Sequence, residues 1–221
     1  MKNMSTVSNI RIKERDSNIE LLRIVCMLFI LIHHFIVHSL APDLLVRDGE
    51  INTYRVACII INGFAYVGVN CFILISGYYG IKFKFRSLLN LYCICVFFSL
   101  VATLMKTCVT DVTFDKGLLY SIMLPFSHSE MWFIKCYVAL FLIAPALNKS
   151  VQNLGRSEFI FTIVLLTVLN VYLGFFWYQH NVNGYNLVQF IYVYYIGAFL
   201  KRFPLKQLNR KHSLLLYIAV H

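Results

Sequence analysis

Glu20-Leu-Leu-Arg23-Ile-Val-Cys26-Met-Leu-Phe-Ile-Leu-Ile-His33-His34 lies in an apolar run over residues 19–40, long enough to cross a bilayer as a helix. Ionisable groups inside such a helix are costly, and they usually face a partner, a cavity or a substrate. Arg23 and His34 are eleven positions apart. At about 100° per residue they share one helix face to within roughly 20°, and they stand roughly 16 Å apart along the axis. A cleaved signal peptide would have a shorter apolar core and would not carry an arginine and two histidines. The run therefore reads as an uncleaved helix, with the polar segment 1–18 as a cytoplasmic tail.

Composition agrees. The chain is 59% hydrophobic with a mean hydropathy of +0.69, and 14% of its residues are charged, where a soluble domain has roughly a quarter. Further apolar runs follow at 54–79, 88–108, 131–148, 158–177 and 185–200. The expected fold is an all-α integral membrane protein, a polytopic bundle of about six complete transmembrane helices with the start of a seventh. The segment 109–130 between the third and fourth runs is long enough for a short interfacial helix. The run from Ser213 to His221 has nine residues, too few to span. On this reading the chain ends inside an element and is incomplete at its C-terminus.

The net charge of +10 would suit nucleic acid or an anionic surface, but the distribution argues for topology. Segments on the N-terminal side of the spans hold fourteen basic residues, and those on the other side hold Arg47, Arg55, Lys106 and Lys116. Basic residues collect in cytoplasmic loops, so the N-terminus is expected in the cytoplasm and no nucleic-acid partner is expected. The seven cysteines lie mostly within apolar runs and show no Cys-x2-Cys spacing. They read as small packing residues, with no metal site.

Three constellations carry polar chemistry. In the first span Arg23, Met27, Ile30, His34 and His38 form a stripe at helical spacing. A neutral imidazole can sit in a membrane and take a proton near neutral pH. On spacing alone, His33, His34 and His38 could equally be interhelical hydrogen-bonding residues, and Arg23 could snorkel to the interface. The second span ends Cys71-Phe-Ile-Leu-Ile-Ser76-Gly77-Tyr78-Tyr79-Gly80 and is followed by Lys82, Lys84 and Arg86. This is either a small-residue packing face with topogenic lysines, or a helix end opening toward an anionic ligand. The fourth run begins Glu130-Met-Trp132-Phe133-Ile-Lys135-Cys-Tyr137 and closes Pro145-Ala-Leu-Asn148. Trp132 is either an interface aromatic or a platform for a ligand ring.

Taken in order, these segments resemble the acyltransferase-3 family of membrane acyltransferases. Arg23-x10-His34 resembles its first-helix signature. Cys71–Tyr78 looks like its Phe-Phe-x-x-Ser-Gly-Phe/Tyr segment. Trp132 to Asn148 is similar to its fourth-helix pattern, and Phe190-Ile-Tyr-Val-Tyr-Tyr-Ile-Gly197-Ala to its later Tyr-x-x-Gly helix. The resemblance covers nearly the whole chain, with 19–221 as the acyltransferase-like transmembrane domain. Two departures stand out. Family members carry more membrane helices than this chain, and Lys82 and Lys84 replace arginines, giving point charges in place of bidentate forks.

The resemblance implies an enzyme of the bacterial cytoplasmic (inner) membrane. It would move an acyl group, usually acetyl, from acyl-CoA to a hydroxyl of a surface or lipid-linked glycan, without a metal. Arg23, Ser76, Gly77, Lys82, Lys84 and Arg86 are then the candidates for the acyl-CoA side. His34 is the candidate general base or acyl relay, and Glu130 the candidate group orienting it or the acceptor. Trp132, Tyr137 and His33 are the candidates for acceptor contact. A glycan flippase is the competing class, but the broken-helix repeat expected of a transporter is not seen. An inactive truncated membrane protein is the other alternative.

Overall fold

A computed structural model describes residues 17–39, 53–109, 116–127, 132–176 and 186–204. Among them every regular element is helical. The helices are α1 Ser17–His38, α2 Thr53–Tyr66, α3 Gly68–Tyr79, α4 Phe85–Val109, α5 Lys116–Met123, α6 Trp132–Asn153, α7 Arg156–Val171 and α8 Leu187–Arg202. A 3-10 turn at Pro125–Ser127 precedes α6, and a π turn at Tyr172–Phe176 continues α7.

Among the described residues five helical segments are long and apolar enough to cross a membrane: Ser17–His38, Thr53–Tyr79, Phe85–Val109, Trp132–Asn153 and Arg156–Gly174. The chain is an all-α polytopic membrane protein. The run expected as a sixth span forms α8, whose 16 residues rise about 24 Å, shorter than each of the five spanning segments. Its start is set by Asn186, whose side chain caps the helix by accepting from the Gln189 amide at 2.8 Å. A short helix expected within 109–130 is present as α5. The tail 1–16 and the apolar run 213–221 lie outside the described residues.

The chain falls into two compact units, 1–72 and 73–221. In the first, α1 packs on α2, with Cys26, Ile36, Cys58 and Ala65 buried. At the start of α3, Gly68 comes against α1 so closely that a Cβ there would sit 2.9 Å from the Cys26 carbonyl oxygen and 3.0 Å from Phe29 Cβ. Leu21, Ile24, Leu28, Leu31 and Phe35 of α1 stay exposed, as lipid-facing side chains of a span should.

In the second unit, α8 is the central element: Phe190, Val193, Tyr194, Tyr195, Gly197 and Ala198 are buried. It packs on α6 and α7. Phe159, Tyr195 and Ala198 form a core lined by Leu147, Val151 and Phe199. Two glycines bring α8 backbone to backbone with the end of α3. A Cβ on Gly77 would fall within 2.8 Å of Tyr194 Cα, and one on Gly197 within 2.9 Å of the Tyr78 nitrogen. Without hydrophobic drive between helices in lipid, such close approach is a main source of packing energy. By contrast α4 buries only Cys95 and exposes Phe97, Phe98, Leu104 and Met105. A helix apolar on every side suits lipid contact.

Candidate functional site

In the first unit the polar stripe of α1 is in place. Arg23, half-buried, meets Glu20 one turn earlier, Nη1 to Oε1 at 3.2 Å. The sequence reading singled out Arg23 but not this partner, although the i, i+3 spacing could have supplied it. The two adjacent histidines have separate tasks. His33 Nδ1 lies 2.8 Å from Asn62 Oδ1 on α2, and its ring meets Tyr66 edge-on at 5.4 Å. It serves the α1–α2 contact, one of the alternatives its position had left open.

His34 is exposed within its unit. Its Nδ1 lies 2.8 Å from the carbonyl oxygen of Ile30, one turn back. A carbonyl can only accept, so Nδ1 carries the proton, and in the neutral ring Nε2 is then left with its lone pair. The helix therefore sets the tautomer needed for a proton acceptor. His38 follows one turn on, its ring 5.8 Å from that of His34.

The second unit holds a cleft of about 560 Å³ at the ends of α3, α6 and α8, lined in part by Gly77, Gly80, Lys82, Asn148, Gln152 and Lys201. No acidic residue lines it among the described residues. Gly80 closes α3: its amide donates to the Ser76 carbonyl at 3.0 Å, and its φ of 74° is left-handed. This is the C-terminal cap that glycine provides without a Cβ penalty. The chain then enters 81–84, which presents Lys82 to the cleft.

Lys201 is one of the fourteen basic residues counted above toward topology. Its Nζ lies 5.9 Å from the Tyr78 ring centre and 5.8 Å from that of Tyr79. Rings at this range hold an ammonium by cation–π attraction while its N–H groups remain able to donate elsewhere. Arg202 donates to the Val151 carbonyl. Among the described residues the cleft thus has two ammonium groups, the Arg202 guanidinium, the carboxamides of Asn148 and Gln152 and no carboxylate, which suits an anion.

Of the six residues expected on the acyl-CoA side, Gly77 and Lys82 line this cleft, Ser76, Lys84 and Arg86 are not among its lining residues, and Arg23 belongs to the first unit. Gly77 also serves the close contact with α8, so its packing role is realised. Trp132, read as either an interface aromatic or a ligand platform, belongs to an aromatic cluster: its ring centre is 6.3 Å from Phe190 and 6.0 Å from Phe133. Phe133 stacks on Tyr137 at 5.9 Å. Glu130 lies outside the described residues.

With the site geometry in place, comparison with known families adds one result. A family profile described as an acyltransferase domain, that of acyltransferase-3, matches residues 16–220. The chain belongs to the acyltransferase-3 family. It is a multi-pass membrane protein of acyltransferase type. No curated protein and no solved structure matches it. Within this acyltransferase, Arg23-x10-His34 and Ser76-Gly77 fall inside the matched region, as do Asn148, Tyr194 and Lys201.

Proposed function

We propose that this acyltransferase moves an acyl group, in the simplest case acetyl, from cytoplasmic acyl-CoA to a hydroxyl of a surface or lipid-linked glycan. The observation that carries the reading is the His34–Ile30 hydrogen bond, which leaves Nε2 as the acceptor. On this account His34 is a general base. Its Nε2 takes the hydroxyl proton as the acceptor oxygen attacks the thioester carbonyl. The new C–O ester bond forms, the C–S bond breaks, and the imidazolium returns its proton to the departing thiolate. Atoms and charges balance without a metal.

The donor's phosphates would be met by charge-assisted hydrogen bonds from Lys82 and Lys201, with Gln152 as a neutral donor. Lys84 and Arg86 would add a favourable field, Ser76 a hydroxyl at the helix end, and Arg23 a cation at the cytoplasmic end of α1. The excess of basic residues on the N-terminal side supports a cytoplasmic N-terminus, which gives these groups the side where acyl-CoA is found. Trp132, Tyr137 and His33 are assigned to the acceptor side, and Glu130 to orienting the acceptor or His34. The bacterial cytoplasmic membrane and domain bounds of 1–18 and 19–221 belong to the same proposal.

The test is donor-dependent transfer. Membranes carrying the chain are incubated with acetyl-labelled acetyl-CoA and the host's glycan, beside membranes lacking it. Label in the glycan only with the chain present supports the reading. Glycan that crosses the membrane unlabelled would favour a flippase instead.

A further inference from the structure

The segment after α3 could leave its helix in many directions, yet both backbone groups of Ile81 are held by distant side chains. The Ile81 amide donates to the Tyr194 hydroxyl at 3.0 Å. That hydroxyl donates in turn to Asn148 Oδ1 at 2.6 Å. Asn148 Nδ2 then donates back to the Ile81 carbonyl at 2.8 Å. The three bonds close a ring through α8, α6 and the segment 81–84. Every donor in it meets an acceptor, and the hydroxyl serves once as each. Tyr194 is 0% exposed and Ile81 8%, so water cannot readily replace these bonds, and an unmade bond would leave a buried polar group unpaired.

We infer that Tyr194 and Asn148 are positioning residues: they fix the 81–84 segment so that Lys82 faces the cleft with its ammonium pre-set for the donor's phosphates. The inference rests on the donor reading given above. The arrangement has three supports. Gly80, in its left-handed conformation, turns the chain out of α3 directly before Ile81. Lys82 is the next residue after the one held. Asn148 itself lines the cleft, so the ring is part of the cleft wall. Binding to a segment already held costs less ordering entropy than binding to one that must be fixed. Loss of the ring should therefore act on donor affinity far more than on the chemical step.

The experiment uses the full chain in lipid nanodiscs, as wild type, Tyr194→Phe and Lys82→Gln. Tyr194→Phe keeps the ring volume and removes only the hydroxyl. Two quantities are read: binding of radiolabelled coenzyme A by equilibrium dialysis, and amide hydrogen exchange of the peptide containing Ile81. Tyr194→Phe should speed exchange at Ile81 and weaken coenzyme A binding about five- to tenfold. Lys82→Gln should weaken binding by a similar factor while leaving exchange at Ile81 unchanged. A structural role alone would speed exchange and leave affinity as it was, which overturns the inference. Unchanged exchange in Tyr194→Phe overturns it as well, because the ring would not hold the segment. A wild-type chain that binds no coenzyme A contradicts the donor reading and with it the positioning role, and faster exchange would then leave the ring as a purely structural device.

Discussion

Gly77 lies against the backbone of Tyr194 so closely that a methyl group would stand within 2.8 Å of the Tyr194 Cα. The obstacle is main chain, which cannot swing aside as a flexible side chain would. Gly77→Ala is expected to cost about 1–3 kcal/mol through overpacking and to lower the melting temperature in detergent. Gly63 has open space where its Cβ would be, so Gly63→Ala should be tolerated. Equal melting temperatures for the two variants would contradict the packing account.

Lys201 and Lys82 share the cleft but differ in how they are held. Lys201 rests over two tyrosine rings, whereas Lys82 depends on the segment that carries it. Each should contribute a charge-assisted contact, so Lys201→Gln or Lys82→Gln should raise the KM for acyl-CoA about tenfold. Salt should weaken donor binding in the wild type and do so less in either variant. Initial-rate kinetics at several salt concentrations check both points.

The spans and the polar face of α1 were legible in the sequence because both are local. Hydrophobic runs report length and composition, and Arg23 and His34 share a face through helical spacing alone. The cleft was not legible in the same way. Ile81, Asn148 and Tyr194 come from three elements far apart in sequence, and a tyrosine or asparagine in an apolar run gives no sign of its partner. Lys201 looked topogenic because a lysine after a span usually is; only the tyrosine pair at the end of α3 separates it from that background. Trp132 shows the same limit: its ring meets Phe190 of α8, a neighbour that its place in the sequence does not announce.

Arg23 and Glu20 form a 3.2 Å pair with side chains 39% and 46% exposed. At that exposure solvent screens most of the attraction, so Glu20→Gln should change stability by less than about 1 kcal/mol. Thermal unfolding in detergent measures it. A larger loss would mean that the pair is shielded in the membrane.

The kinetic pattern distinguishes the two roles open to His34. A general base requires donor and acceptor to be bound together, so initial rates against both substrates should give intersecting double-reciprocal lines. An acyl-imidazole relay would release coenzyme A before the acceptor reacts and give parallel lines, the ping-pong signature of a covalent intermediate. The hydrogen bond from Nδ1 to Ile30 leaves the Nε2 lone pair for either role, and the general-base reading predicts the intersecting pattern.

The central claim is that His34 Nε2 accepts the proton in acyl transfer. It is tested most directly by measuring acetyl transfer to the glycan by wild type and His34→Gln at saturating acetyl-CoA, in membranes with matched protein levels. A positioned general base contributes about a hundredfold or more, so His34→Gln should lose at least that factor in kcat while still binding coenzyme A. Transfer within about twofold of wild type would contradict the account.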